Sequence, residues 1–128
     1  MIVKQVSVFV ENTVGRLADL TKILTDNNID LKASTIAETV DFGILRCIVE
    51  EPEKTVKILV ENGFSASISE VTGVSLEDKP GGLHKVLAVL AEAGIAVNYI
   101  YSTIKSAEGK AIIMMKTSEA AKAEEVLK

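Results

Sequence analysis

The chain repeats itself. Gly15 and Gly81 lie 81 − 15 = 66 residues apart, and around that anchor the two halves align without a gap. Val8 falls on Val74, Val10 on Leu76, Glu11 on Glu77 and Asn12 on Asp78. Leu17 falls on Leu83, Leu20 on Val86, Ile23 on Val89, Leu24 on Leu90 and Ile29 on Ile95, and Gly43 lands on Gly109. Two copies of one supersecondary unit is the simplest reading. It divides the 128 residues into two small modules, 1–70 and 71–128. Modules of this size bury a limited share of their surface, so they gain by packing on one another or on a second chain.

Each copy reads as strand, helix, strand, strand, helix. Val6, Val8 and Val10 alternate with polar neighbours, the period of a half-buried strand. Asn12 or Thr13 is then expected to cap a helix whose apolar stripe is Leu17, Leu20, Ile23 and Leu24. Asn27-Asn28 should end it, as Gly94 should in the second copy, because these residues tolerate the left-handed conformation at a helix end. Strands are expected at Ile29–Ala37 and Ile44–Glu50 about a turn at Asp41-Phe42-Gly43. A helix follows at Glu53–Asn62, with Val56, Leu59 and Val60 inward, and a strand at Phe64–Val71. The second copy repeats the order through Ser118–Lys128, with Ala120, Ala123, Val126 and Leu127 inward, and shows no final strand. The expected fold is therefore α+β: two tandem ferredoxin-like βαββαβ modules with antiparallel sheets, the second lacking its last strand. Its sheet edge would need a neighbour.

Charge narrows the partners. The net charge of −4 lies in the first module, with 7 Lys+Arg against 11 Asp+Glu, while the second has 7 against 7. Neither offers the basic excess that binding to nucleic acid needs. The third strand also lacks the aromatics on which an RNA-recognition module of the same topology stacks bases. One cysteine, Cys47, and one histidine, His84, cannot form a disulfide or a Cys/His metal cage. No cofactor or metal is expected. The N-terminus lacks a signal-peptide core and no apolar run approaches a membrane span, so the expected location is cytoplasmic, away from membranes.

The informative places are the two junctions between first strand and first helix, Glu11-Asn12-Thr13-Val14-Gly15-Arg16-Leu17 and Glu77-Asp78-Lys79-Pro80-Gly81-Gly82-Leu83. Free amides and the positive end of the helix dipole point into such a loop. Glycine lets a ligand approach the backbone closely, which makes a seat for a carboxylate. Asn12 or Asp78 can accept hydrogen bonds from an ammonium group beside it. Together these are the head-group contacts of a free α-amino acid. An ordinary helix start needs the same residues.

With these loops the chain resembles the ACT domain, a regulatory amino-acid-binding module, over essentially its whole length as two copies. The second loop matches the motif in full, whereas the first has Val14 in place of the usual proline. The stretch Ile36–Arg46 is similar to one in small stand-alone tandem ACT proteins. In that family ligands sit where the helix-opening loop of one module faces a strand of its neighbour. The resemblance implies Asn12, Gly15, Arg16 and Leu17 in one site and Asp78, Pro80, Gly81, Gly82 and Leu83 in the other. It also brings the Phe42 hairpin to the edge of the cleft.

Other residues carry two readings each. Arg16 could pair with a ligand carboxylate or lie solvated in the first helical turn, and its counterpart Gly82 makes the two sites unequal. Tyr99 and Tyr101, one strand period apart, could line a pocket or pack in a core. His84 is expected at the surface, Cys47 in the core, and Met114-Met115 as strand core. Asp41-Phe42-Gly43 shares letters with a kinase triplet and nothing else of that machinery.

The leading expectation is a non-catalytic sensor of a small amino acid, acting as a homodimer and on a separate regulated enzyme. The alternative is a ligand-free accessory subunit pairing through its sheet edges. An enzyme of the acylphosphatase kind shares the fold, but the single His and Cys fall on unrelated elements and form no nucleophile–base set.

Overall fold

The computed structural model describes residues 1–103 and 109–128. The chain divides into two compact units, Lys4–Ser69 and, with Met1–Val3 attached, Glu70–Lys128. Met1–Val3, which the tandem reading groups with the first module, thus belong to the second unit. Two long strands, β1 (Ile2–Glu11) and β4 (Ala66–Glu77), contribute residues to both.

In the first unit, β1 is followed by α1 (Arg16–Asp26), β2 (Ala33–Glu38), β3 (Phe42–Ile48) and α2 (Pro52–Glu61). β3 lies between β2 and β1, antiparallel to both, and the start of β4 lies beside β1. This is the strand order of a ferredoxin-like sheet. Alternation decides what is buried. Val6, Val8 and Val10 join Leu45, Cys47 and Val49 on one face, where Leu20 and Leu24 of α1 and Leu59 of α2 close the core. The other face carries Phe9, half exposed, and Phe42.

The helix ends follow the sequence closely. At α1 the Ile29 amide donates to the Leu24 carbonyl (2.8 Å) and the Asn28 amide to that of Thr25 (3.0 Å), a Schellman closure with Asn28 at positive φ. Phe64 to Leu59 (2.9 Å) and Ile95 to Leu90 (2.9 Å) repeat the longer bond after α2 and after α3 (Gly82–Glu92). In each case an apolar residue just past the turn is drawn into the core beside its acceptor. This closure occupies Asn27–Ile29 and delays β2, which begins at Ala33 instead of the expected Ile29. One inward assignment is corrected: Val60 is 53% exposed, and α2 buries Thr55 and Leu59. The Thr55 hydroxyl is spent on the Glu51 carbonyl one turn back (2.9 Å).

In the second unit, β4 continues to Glu77 and leads into α3, β5 (Val97–Ser102), β6 (Lys110–Thr117) and α4 (Ala120–Val126). β6 lies between β4 and β5. Leu90, Ile95, Met115 and Ala123 form the core. No strand follows α4, and the edge of β4 is taken by the chain's own first residues. The Met1 amine donates to the Gly73 carbonyl (2.9 Å) and the Gly73 amide to the Met1 carbonyl (2.6 Å). A reciprocal pair of this kind marks antiparallel pairing.

The repeat is gapless only as far as β5. Glu11 pairs with Phe42 and Glu77 with Lys110, separations of 42 − 11 = 31 and 110 − 77 = 33. Ser34 and Ile100, the partners of Cys47 and Met115, keep the offset of 66. The two extra residues therefore fall in the sequence between Ser102 and Lys110. In register Gly43 corresponds to Ala111, which pairs with Leu76 as Gly43 pairs with Val10, and not to Gly109.

Candidate functional site

Both helix-opening loops adopt one backbone form. Gly15 (φ 86°, ψ −12°) and Gly81 (φ 91°, ψ −12°) sit at the N-cap positions of α1 and α3 in the left-handed region, which a side chain would strain. Around them the bonds match. The Thr13 and Lys79 amides donate back to the Glu11 and Glu77 carbonyls (2.9 Å each), and the Arg16 and Gly82 amides to Thr13 (3.3 Å) and Lys79 (3.0 Å). The Asp19 and Lys85 amides donate to Gly15 (2.9 Å) and Gly81 (3.1 Å). In the first loop this leaves Leu17 and Ala18 as helix-opening donors without an intrahelical acceptor.

The expected side-chain caps do not form, because the glycines occupy the capping positions. Asn12 instead fastens its loop to the β2–β3 hairpin. Its Nδ2 donates to the carbonyls of Thr39 (3.3 Å) and Val40 (3.4 Å) and to Glu38 Oε2 (3.5 Å), and its backbone amide donates to Asp41 (3.0 Å).

Beside this clamp lies an open cleft of about 350 Å³, lined by Val10, Glu11, Asn12, Thr13, Leu17, Ile36, Glu38 and Gly43. Of the expected first-site residues, Asn12 and Leu17 line it and Gly15 shapes the loop above it. Arg16 turns elsewhere. Its Nε meets Glu11 Oε2 at 2.6 Å, its Nη1 lies 3.9 Å from Asp19 Oδ2, and its guanidinium lies over the Phe64 ring, 4.0 Å from the centroid. The hydrogen bond from Arg16 holds the Glu11 carboxyl below its ordinary value. Phe42 also lies away from the cleft. It pairs with Glu11 and packs against Phe9, ring centroids 5.2 Å apart, on the sheet face opposite the helices. The hairpin residue that reaches the cleft is its neighbour Gly43, since adjacent strand residues point to opposite faces. Glu11, Ile36, Glu38 and Gly43 were not singled out from the sequence. The family-like stretch Ile36–Arg46 contains three of them.

The second loop is built more tightly. A Cβ on Gly82 would stand 2.1 Å from the Glu77 carbonyl oxygen, so no side chain fits where the first loop carries Arg16. The Asp78 amide donates to Gly109 (2.8 Å), and Lys79 Nζ pairs with Glu77 Oε2 at 2.6 Å. That hydrogen bond pushes the Glu77 carboxyl down and the Lys79 ammonium up. Pro80 is exposed and Leu83 half-buried. Tyr99 pairs with Lys116 and Tyr101 with Met114, which alternate with the core residue Met115, so both tyrosines lie on the sheet face turned from that core. Their rings stack at 6.5 Å, and Tyr101 is buried.

Nucleophilic chemistry finds no support in the remaining candidates. Cys47 is buried, and burial pushes its thiol up to about 12. His84 is exposed. Among the described residues no group of His, Cys, Asp and Glu side chains is placed to hold a metal ion, and no helix is long and apolar enough to cross a membrane.

Comparison with known proteins agrees with the repeat. A protein of Bacteroides thetaiotaomicron is 42% identical over 99% of this chain and 87% of its own, with a TM-score of 0.92. The regulatory subunit of aspartate kinase from Thermus thermophilus, in ligand-free form, is 16% identical over 97% of this chain and 87% of its own, with a TM-score of 0.72. The corresponding subunit from Thermus flavus is 14% identical over 97% and 89%, with a TM-score of 0.65. At these identities the two subunits show the fold. Curated proteins give no match. The model of the ACT domain pair matches residues 1–128, and the chain belongs to that family of paired regulatory modules.

Proposed function

We propose that this chain is a sensor without catalytic activity of its own, and that the cleft between the β1–α1 loop and the β2–β3 hairpin of the first unit binds a free α-amino acid. One observation carries the reading. Helix-opening amides that suit a carboxylate stand at the same cleft as Glu38 and Asn12, which suit an ammonium. Asn12 spends its Nδ2 on the hairpin, and its Oδ1 is the atom it offers a ligand. The second loop, with Asp78, Pro80, Gly81, Gly82 and Leu83, is the corresponding second site, and Gly82 lies too close to the Glu77 carbonyl for a side chain to stand where the first loop has Arg16.

The cleft is open, and we propose that a module of a second copy covers it in a homodimer. Ligand binding would then favour the assembled state in proportion to its preference for it. Two or three charge-assisted hydrogen bonds at roughly 1.5–3 kcal/mol each, less the association cost, correspond to dissociation constants on the order of micromolar to millimolar. The similar structures described as aspartate kinase regulatory subunits support an output through a separate enzyme chain.

A thermal-shift screen of the protein against the twenty amino acids at millimolar concentration tests this. A ligand that binds only the native state raises the melting temperature. A rise with one amino acid or a chemically related set, lost in Asn12→Ala, supports the sensor. No rise with any of them, from a protein that melts cooperatively, moves the reading to a ligand-free accessory subunit. The exposed Ile36 on edge strand β2 is the observation that favours that second reading.

A further inference from the structure

The first cleft does not end at the head-group site. A second depression of about 330 Å³ adjoins it between α1 and β2, lined by Leu17, Thr21, Leu31, Ile36, Leu45 and the Ser34–Thr35 segment. Leu17 and Ile36 line both depressions and form the threshold between them. Each volume falls near the lower end of the range for small-molecule sites, ~300–1,000 Å³.

The chemistry changes across that threshold. The first depression is lined by two acidic residues, Glu38 and Glu11, the latter with its carboxylate on Arg16, whereas no charged residue lines the second, whose polar side chains are the hydroxyls of Thr21, Ser34 and Thr35. Thr21 brings little polarity, because its hydroxyl donates to the carbonyls of Leu17 and Ala18 within α1 (3.1 Å each). A charged ligand group placed there would give up water and gain no counter-ion. An aliphatic group would instead cover Leu17 and Ile36, which are 40% and 43% exposed.

We infer that the ligand is an α-amino acid with a branched aliphatic side chain of the valine, leucine and isoleucine class, its ammonium beside Glu38 and Asn12 Oδ1 and its side chain across the Leu17–Ile36 threshold. This rests on the reading of the first cleft as an amino-acid site. Each methylene moved from water into the second depression strengthens binding about fourfold.

Isothermal titration of the full chain with leucine, isoleucine, valine, alanine, lysine and aspartate provides the test. The branched aliphatic amino acids should bind at least ~10-fold more tightly than alanine. Lysine and aspartate should bind more weakly than alanine. Leu17→Glu should abolish the aliphatic preference while the unliganded protein still melts cooperatively, since Leu17 is 40% exposed and lies outside the core. Ile36→Lys, on a different element, does the same if Leu17→Glu fails to fold. Binding of lysine or aspartate as tight as that of leucine, and lost in Asn12→Ala, would overturn the aliphatic assignment and leave the amino-acid site standing. Absence of binding by every amino acid would overturn both.

Discussion

Met1 and Gly73 exchange two backbone hydrogen bonds, 2.9 Å from the Met1 amine and 2.6 Å from the Gly73 amide, and so close the edge of β4 with the start of the chain. Gly73 is buried, and a Cβ there would come within 3.2 Å of Val3 Cγ2 and 3.5 Å of Met114 Sδ. Removing Met1–Val3 gives up both bonds and the partial burial of Ile2 and Val3, an expected loss of about 1–3 kcal/mol. Chemical denaturation of the shortened chain measures it. Stability equal to that of the full chain would show that the pairing contributes nothing.

The two glycines of the second loop should differ sharply. Gly82→Ala drives a methyl into the Glu77 carbonyl, 2.1 Å away, and either shifts the loop or costs on the order of 2–4 kcal/mol. Gly81→Ala meets nothing within 4 Å and suffers only its positive φ, about 1 kcal/mol. Melting curves of the two variants check the order, and a Gly81 variant less stable than the Gly82 variant would contradict it.

Glu11 is expected to titrate upward when its partner is lost. The hydrogen bond from Arg16 lowers its carboxyl in the folded chain, as those from Lys4, Lys32 and Lys79 lower Glu53, Glu50 and Glu77. A folded value below the unfolded one stabilises the fold above the unfolded carboxylate range. That stabilisation is lost as pH falls through the folded value. All four carboxylates are exposed at the surface, so the contribution is small and falls with salt. Carboxyl NMR titration of Arg16→Met should move Glu11 up toward its ordinary value and leave Glu53 in place. An unmoved Glu11 would refute the pairing.

Thr72 and Thr117 are buried in the second unit, and among the described residues neither hydroxyl oxygen finds a hydrogen-bond partner. Thr72→Val and Thr117→Val remove an unsatisfied polar atom at nearly constant shape. Each should stabilise the chain by about 1 kcal/mol, seen as a higher melting temperature. A drop would show that the hydroxyl is bonded in solution.

What the sequence determined by itself is local. The apolar stripe of each helix and the stops at Asn28, Gly63 and Gly94 depend on residues within a turn or two of one another, and the 66-residue repeat compares two such local patterns. A left-handed residue followed by Ile29, Phe64 or Ile95 states both the turn and the anchor beyond it. The two glycine loops were legible for the same reason.

Tertiary structure decided everything that depends on which strand lies beside which. Met1–Val3 complete the second unit across more than seventy residues of chain, and nothing in their own composition says so. Two extra residues before β6 move its pairing with β4, so the alignment of Gly43 with Gly109 fails where the repeat itself stands. At the candidate site the pleat placed Gly43 at the cleft and turned Phe42 to the opposite face, and the hairpin carbonyls drew Asn12 away from the helix it was expected to cap. Side-chain direction in a sheet follows from pairing and register, and long-range pairing sets both.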